Sequence, residues 1–221
     1  MRFKNELDKR GLRKGLNYGI LALCLLPVFI GFLYVFLFGV NVVTWGQFRS
    51  VDLFEKYFSG TLNLSDLFAQ HNEHRLFFPR IMILLLGIIT KYNNLGEMYF
   101  VQILFLTTLT LFFLVFRKQF DFKEKYLWFV PVPFLVFSFR QYVNMLHGFH
   151  LVLVFPDIFC FLTFYFIFLM RESKKQGEVL GFIAAVGSAT IATFSQAQGL
   201  FAWPAGLLQI ALLPLERKNN Y

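Results

Sequence analysis

The sequence predicts an all-α fold, a polytopic transmembrane helical bundle of six or seven spans with amphipathic interfacial helices in its first outer loop. Three observations predict it. Charged residues make up 15% of the chain, hydrophobic residues 57%, and the mean hydropathy is +0.58. A soluble domain carries about 25% charged residues, so lipid must solvate much of this surface. Apolar runs approaching the roughly 20 residues of a membrane span recur along the chain. The net charge of +8 is held in short basic clusters between those runs, as in cytoplasmic loops. No single basic stripe exists for a nucleic-acid partner, and the partners expected from composition are membrane lipids. The 32 phenylalanines read as lipid-facing and packing filler, and Cys24 and Cys160, both inside apolar runs, read as packing residues.

The 221 residues read as one transmembrane domain: a cytoplasmic tail over 1–15, an outer loop over 44–97 and a helical bundle over 98–215. Arg2, Lys4, Lys9, Arg10, Arg13 and Lys14 precede an apolar run from Tyr18 to Val43. That run is too long for a signal peptide, and no small-residue cleavage site follows it. It reads as a retained first helix, about Leu16 to Val43, with a cytoplasmic N-terminus. Next comes the longest polar stretch, Thr44 to Arg80. Within it Val51, Phe54 and Phe58 recur at helical spacing opposite Asp52, Glu55 and Lys56, the pattern of a helix lying in the membrane interface. A second short helix is expected over Leu64 to Gln70, capped by Asn63 or Ser65.

The run Phe77 to Thr90 is broken early by Pro79 and Arg80, leaving too short an apolar core for an ordinary span, so it is expected to be re-entrant or interfacial. Clear spans follow: Met98 to Phe116, Tyr126 to Phe139 (kinked at Pro131 and Pro133), Phe149 to Met170, Val179 to Phe194 and Leu200 to Leu215. The fourth of these is rich in small residues, and Gly181 with Ala185, or Ala184 with Ser188, lets helix backbones approach closely. Basic loops at Arg117 to Lys125, Arg171 to Glu178 and Arg217 to Lys218 alternate with basic-poor loops at Ser138 to His150 and Ser195 to Gly199. The basic loops should face the cytoplasm. A full crossing by Phe77 to Thr90 would invert every later loop, so six spans with both ends inside fit the charges best. Seven is the alternative. The chain stops at Tyr221, just past a basic cluster. Another helix could follow there, and a fragment of a longer protein is one reading.

Three polar motifs then gather on the outer face: QHNEHRLFFPR (Gln70 to Arg80), FSFRQYVNMLHGFH (Phe137 to His150) and FSQAQGLFAWP (Phe194 to Pro204). They hold all four histidines. Polar side chains at membrane depth are costly and line cavities or sites; interfacial anchoring and helix capping are the plainer explanation. His71 and His74, three apart, share a face if helical and could hold a divalent metal ion, yet the spacing matches neither zinc-protease signature. Arg75 and Arg80 suit bidentate phosphate contact. Asp52, Glu55, Asp66 and Glu73 supply carboxylates that could act as a base; a solvated helix face accounts equally well for Asp52 and Glu55. Asp157, just after Pro156, is the main intramembrane acid.

These strings, and a first helix followed by a large acidic outer loop, resemble the GT-C superfamily of membrane glycosyltransferases and a group of bacterial membrane proteins with that architecture. The resemblance spans nearly the whole chain. It implies a bacterial inner-membrane location, a polyprenyl-phosphate-linked sugar as donor and an extracytoplasmic site. It implies Asp52 as base or metal ligand, with Glu55 or Glu73 as substitutes. Arg75, Arg80 and Arg140 would contact the lipid-linked phosphate, where His71 and His74 also lie. Gln141, Asn144, His147, Gln196 and Gln198 would meet sugar hydroxyls, and Trp203 would stack on a sugar or anchor at the interface. The chain lacks a DxD-type acidic pair and is shorter than members of that class. Two other functions remain open from the residues alone. One is a transporter or flippase with a path lined by His71, His74, His147, His150 and Glu73. The other is a non-catalytic assembly subunit.

Overall fold

The computed structural model describes residues 2–43, 45–120, 125–173 and 175–212. The expected cytoplasmic residues Lys123, Lys174, Arg217 and Lys218 lie outside them. Among the described residues the fold is all-α apart from one two-stranded hairpin. Among the described residues three helices are long and apolar enough to cross a membrane: Gly15–Phe38 within α1 (Arg2–Phe38), α5 (Asn94–Gln119) and Gly148–Arg171, which contains most of α9 (Leu151–Glu172). Phe29, Phe36, Phe182, Ile183 and Leu207 are exposed, as lipid-facing side chains are.

Between α1 and α5 lie α2 (Phe48–Phe58), α3 (Leu64–Phe68), strands β1 (Gln70–His71) and β2 (His74–Arg75), and α4 (Phe77–Thr90). The first helix ends at Phe38, short of the expected Val43. Gly39 packs so tightly on α5 that a Cβ there would stand 2.7 Å from Leu95 Cδ2, and the chain turns to bring Asn41 Oδ1 within 2.8 Å of the Asn94 N–H. On α2 the buried face is Ser50, Leu53 and Phe54, whereas Val51 and Phe58 are exposed. Only Phe54 of the expected apolar stripe is inside, its ring seated against Gly87 of α4 and edge-on to Tyr92 at 4.7 Å.

The expected span Tyr126 to Phe139 is two short helices, α6 (Lys125–Phe129) and α7 (Pro131–Val136). Pro131 takes a first-turn position of α7, where its missing N–H costs nothing, so the chain restarts there rather than running through. The segment passes along α5: Phe129 meets Phe113 and Phe116 at 5.3 and 5.2 Å, and Phe137 meets Phe105 at 5.9 Å. Then come α8 (Tyr142–Met145) and a 3-10 turn, Gly148–His150, leading into α9. The antiparallel hairpin of α9 with α10 (Lys175–Thr193) is closed by a small-residue face, with Gly181, Ala185, Ser188, Ala189 and Ala192 buried. A 3-10 turn, Ala197–Phe201, leads to α11 (Ala202–Leu212), tied to α9 by Gln209 Nε2 donating to Phe164 O at 3.1 Å and by Arg171 Nη2 donating to Ile210 O.

Two ends of the bundle follow from these contacts. At one, the C-terminus of α1, the N-termini of α5 and α9 and the C-terminus of α10 come together. At the other, Lys118 Nζ lies 5.0 Å over the Phe168 ring and Arg171 reaches α11. Both ends of α4 meet the first group: Phe78 N–H donates to Phe194 O at 3.4 Å, and Thr90 Oγ1 accepts from Asn93 N–H at 3.1 Å.

Candidate functional site

The QHNEHR motif forms a hairpin rather than a helix. His71 and His74 are directly paired across the strands, and the tight turn between them puts Asn72 at φ 52°, a region that asparagine tolerates. The two imidazoles still share a side, because paired residues on antiparallel strands point the same way. Among the described residues no group of three or more His, Cys, Asp or Glu side chains is placed to hold a metal ion. The divalent-ion site expected at His71 and His74 therefore lacks a third protein ligand of these types among them.

This hairpin joins the other two motifs. The His74 ring accepts a hydrogen bond at Nδ1 from the Ala197 N–H, 3.3 Å away, and Phe68 stacks on Phe77 and edge-on to Phe194. The His71 ring lies 5.6 Å from the Phe149 ring, which is seated against Gly46 at a point where a Cβ would come within 2.8 Å. Burial holds the His71 imidazole below its ordinary range, and the cations Arg49 and Arg80, then His74, add to the effect.

The second motif carries an amide–imidazole chain. Gln141 Nε2 donates to Val136 O at 3.3 Å, Asn144 Nδ2 donates to Gln141 Oε1 at 3.3 Å, and His150 Nδ1 donates to Asn144 Oδ1 at 2.8 Å in the tautomer carrying its proton there. The His147 ring lies tilted against that of His150 with centroids 4.4 Å apart, and burial pushes its imidazole down. In the third motif Gln198 Nε2 donates to Asp157 Oδ1 at 3.1 Å, and Trp203 Nε1 donates to Thr193 Oγ1 at 2.9 Å. Gln196 is buried.

The expected carboxylates face outward. Asp52 is exposed on α2 and ion-paired with Lys56 at 3.1 Å; Glu55 is exposed on the same helix; Glu73 is exposed at the hairpin turn. Lys56 also binds Asp66 at 2.9 Å, and that contact, with the Asn63 N–H, holds the Asp66 carboxyl below its usual range. Arg75 and Arg140 are exposed. Arg80 is engaged by the backbone: its Nη1 donates to Asp66 O at 3.1 Å, Leu67 O at 3.0 Å and Ala69 O, the orphan carbonyls at the end of α3.

The sequence reading missed a buried polar knot beneath the site. Gln47 Nε2 donates to Asn94 Oδ1 at 2.8 Å and to Glu97 Oε2 at 2.9 Å, and all three residues are buried. The knot abuts Gly148, where a Cβ would fall 2.4 Å from Glu97 Cβ. Comparison with protein-family models, with curated proteins and with solved structures finds no match for this chain.

Proposed function

We propose that this protein is a bacterial inner-membrane glycosyltransferase that moves a sugar from a polyprenyl-phosphate carrier on the extracytoplasmic side. The observation that carries the reading is the hairpin His71–His74, which touches both Phe149 and Ala197 and so gathers three polar motifs at one end of the bundle. Two cations, Lys118 and Arg171, lie at the other end. In this reading the chain crosses six times, through α1, α5, the α6–α7 segment, α9, α10 and α11, with its N-terminus cytoplasmic. The helix α4 then lies in the outer interface, because both of its ends meet the site end of the bundle.

The chemistry is an inverting displacement at the anomeric carbon. A bond forms from the acceptor oxygen to that carbon, the bond to the phosphate oxygen breaks, and polyprenyl phosphate leaves. Asp52, exposed and reachable, takes the acceptor proton. Arg75 and Arg140 stabilise the phosphate charge as it develops. Gln141, Asn144 and Gln198 hold sugar hydroxyls.

The test uses the full chain in proteoliposomes with labelled polyprenyl-phosphate sugar. Transfer should fall by about 10²-fold or more in Asp52→Asn. Transfer retained separately in Asp52→Asn, Glu55→Gln and Glu73→Gln would remove this mechanism. Cysteine labelling that put Asn144 and Lys118 on one side of the membrane would remove the site itself. Movement of intact lipid-linked sugar between leaflets without transfer would give the protein to the flippase class.

A further inference from the structure

A second feature of the same end is apolar. Val51, Phe54 and Phe58 of α2 face Ile88 of α4 across an open groove of ≈ 500 Å³, and the only lining side chains with polar ends are Lys91 and Tyr92. The groove is built rather than incidental. Gly87 forms its floor, because a Cβ there would stand 2.2 Å from Phe54 Cζ, so only a glycine lets the Phe54 ring sit so low. Lys91 ends α4 at φ 55° and Tyr92 follows at φ 60°. Two consecutive left-handed non-glycine residues are strained, and Tyr92 is held there by donating its N–H to Gly87 O at 2.7 Å and by its ring contact with Phe54. The outer rim is apolar as well: Phe58 is 75% and Ile89 77% exposed. Such surface on an α2–α4 layer beside membrane-spanning helices is solvated by lipid rather than water.

We propose that this groove is a binding site for one anionic glycerophospholipid of the surrounding leaflet, its acyl chain along Phe54 and Ile88 and its phosphate on Lys91. Charge selects the occupant. Lys91 is exposed at the mouth, and among the described residues no carboxylate pairs with it, since the ion pairs they form belong to Lys56. A lone ammonium above an apolar trough matches a lipid phosphate above its acyl chain. The site does not depend on sugar transfer; it requires only that α2 and α4 meet the bilayer.

The full chain is extracted from bilayers containing equal amounts of a phosphatidylglycerol and a phosphatidylcholine with the same acyl chains, and the retained lipid is counted by native mass spectrometry. The wild-type protein should retain the anionic lipid about fivefold more strongly, the preference one lysine confers near a membrane surface. Lys91→Gln should abolish that preference while leaving the protein monodisperse, because the side chain is exposed. Ile88→Trp, which fills the trough, should lose both lipids. Equal retention of the two lipids by the wild-type protein, or an unchanged preference in Lys91→Gln, overturns the site. A polyprenyl phosphate that displaces the glycerophospholipid at equal concentration overturns the occupant and assigns the groove to the carrier instead.

Discussion

Replacing Gly148 with alanine tests the packing on which the candidate site rests. An ideal Cβ at Gly148 falls 2.4 Å from Glu97 Cβ, 2.7 Å from Glu97 Oε2 and 3.4 Å from Asn94 O. Ordinary carbon–carbon contact begins near 3.5 Å, so about 1 Å of separation must be found. The Glu97 carboxylate could rotate away, at the loss of the Gln47 hydrogen bond. Its Cβ is fixed to the backbone of α5 and cannot move aside. Relief must come from shifting residues 148–150, which carry His150 and its bond to Asn144. Overpacking a filled interior costs about 1–3 kcal/mol, and the anchored neighbour places Gly148→Ala in the upper half of that range. Gly187→Ala on exposed α10 is the control. Nothing lies within 4 Å of its Cβ, and exchanging glycine for alanine inside a helix gains roughly 0.5–1 kcal/mol. Both are measured by reversible unfolding in mixed micelles. The reasoning fails if Gly148→Ala unfolds within about 0.5 kcal/mol of wild type, a surface-like value, or if Gly187→Ala loses as much.

Arg80→Met should strip the carbonyls of Asp66, Leu67 and Ala69 of their donor and lower protection of residues 64–70 in hydrogen exchange by about 1–3 kcal/mol; unchanged protection would show that the guanidinium is free for a ligand after all. By NMR titration His71 should protonate below the ordinary imidazole value, and Arg49→Gln should raise it only part of the way, because burial is the larger cause. The folded value lies below the unfolded one, so the stabilisation is present above the unfolded value and drains as pH falls through the folded one; titration at or above the ordinary value contradicts this. Gln102 is fully buried with neither amide atom hydrogen-bonded among the described residues, so Gln102→Met, which keeps the unbranched shape, should stabilise the bundle by about 1 kcal/mol. A loss of stability instead would mean that the amide is partnered in the membrane.

The apolar helices were legible because hydropathy reports lipid exposure directly: the run Phe77 to Thr90 is α4 residue for residue. The interruption at Pro131 was legible as a kink, although proline at a helix start and proline within a helix look alike until the chain turns. The hairpin was not legible. Residues three apart share a face on a helix and flank a two-residue turn equally well, and Asn72-Glu73 is a weak turn signal beside Asn-Gly. The knot was hidden for another reason. Glu97 falls in the first turn of α5 behind the cap Asn93, where an acid serves the helix dipole without needing a partner. Gln47 lies 50 residues away, and nothing local announces that they meet. Of the expected site residues, the amides and imidazoles of the second and third motifs sit in tight turns at helix ends. The backbone-carbonyl partners of Arg80 were not legible, because carbonyls carry no sequence signature.

The separation of carboxylates into two kinds constrains any chemistry at this end. Glu97 is 3% exposed and walled by Gln47, Asn94 and Gly148, so an acceptor hydroxyl cannot reach it without dismantling the knot. Asp52 has a side chain 64% exposed and a salt bridge that is weak by virtue of its exposure, so it is open to solvent and to an acceptor. A base must be reachable at the moment of proton transfer, and a buried acid tied by amides can only hold geometry. Glu97→Gln keeps an acceptor for Gln47, so it should leave the site intact, whereas Glu97→Ala should loosen His147 and His150 through Gly148. Loss of transfer in Asp52→Asn at unchanged stability, set against loss in Glu97→Ala only in step with unfolding, is the pattern that this division of labour requires.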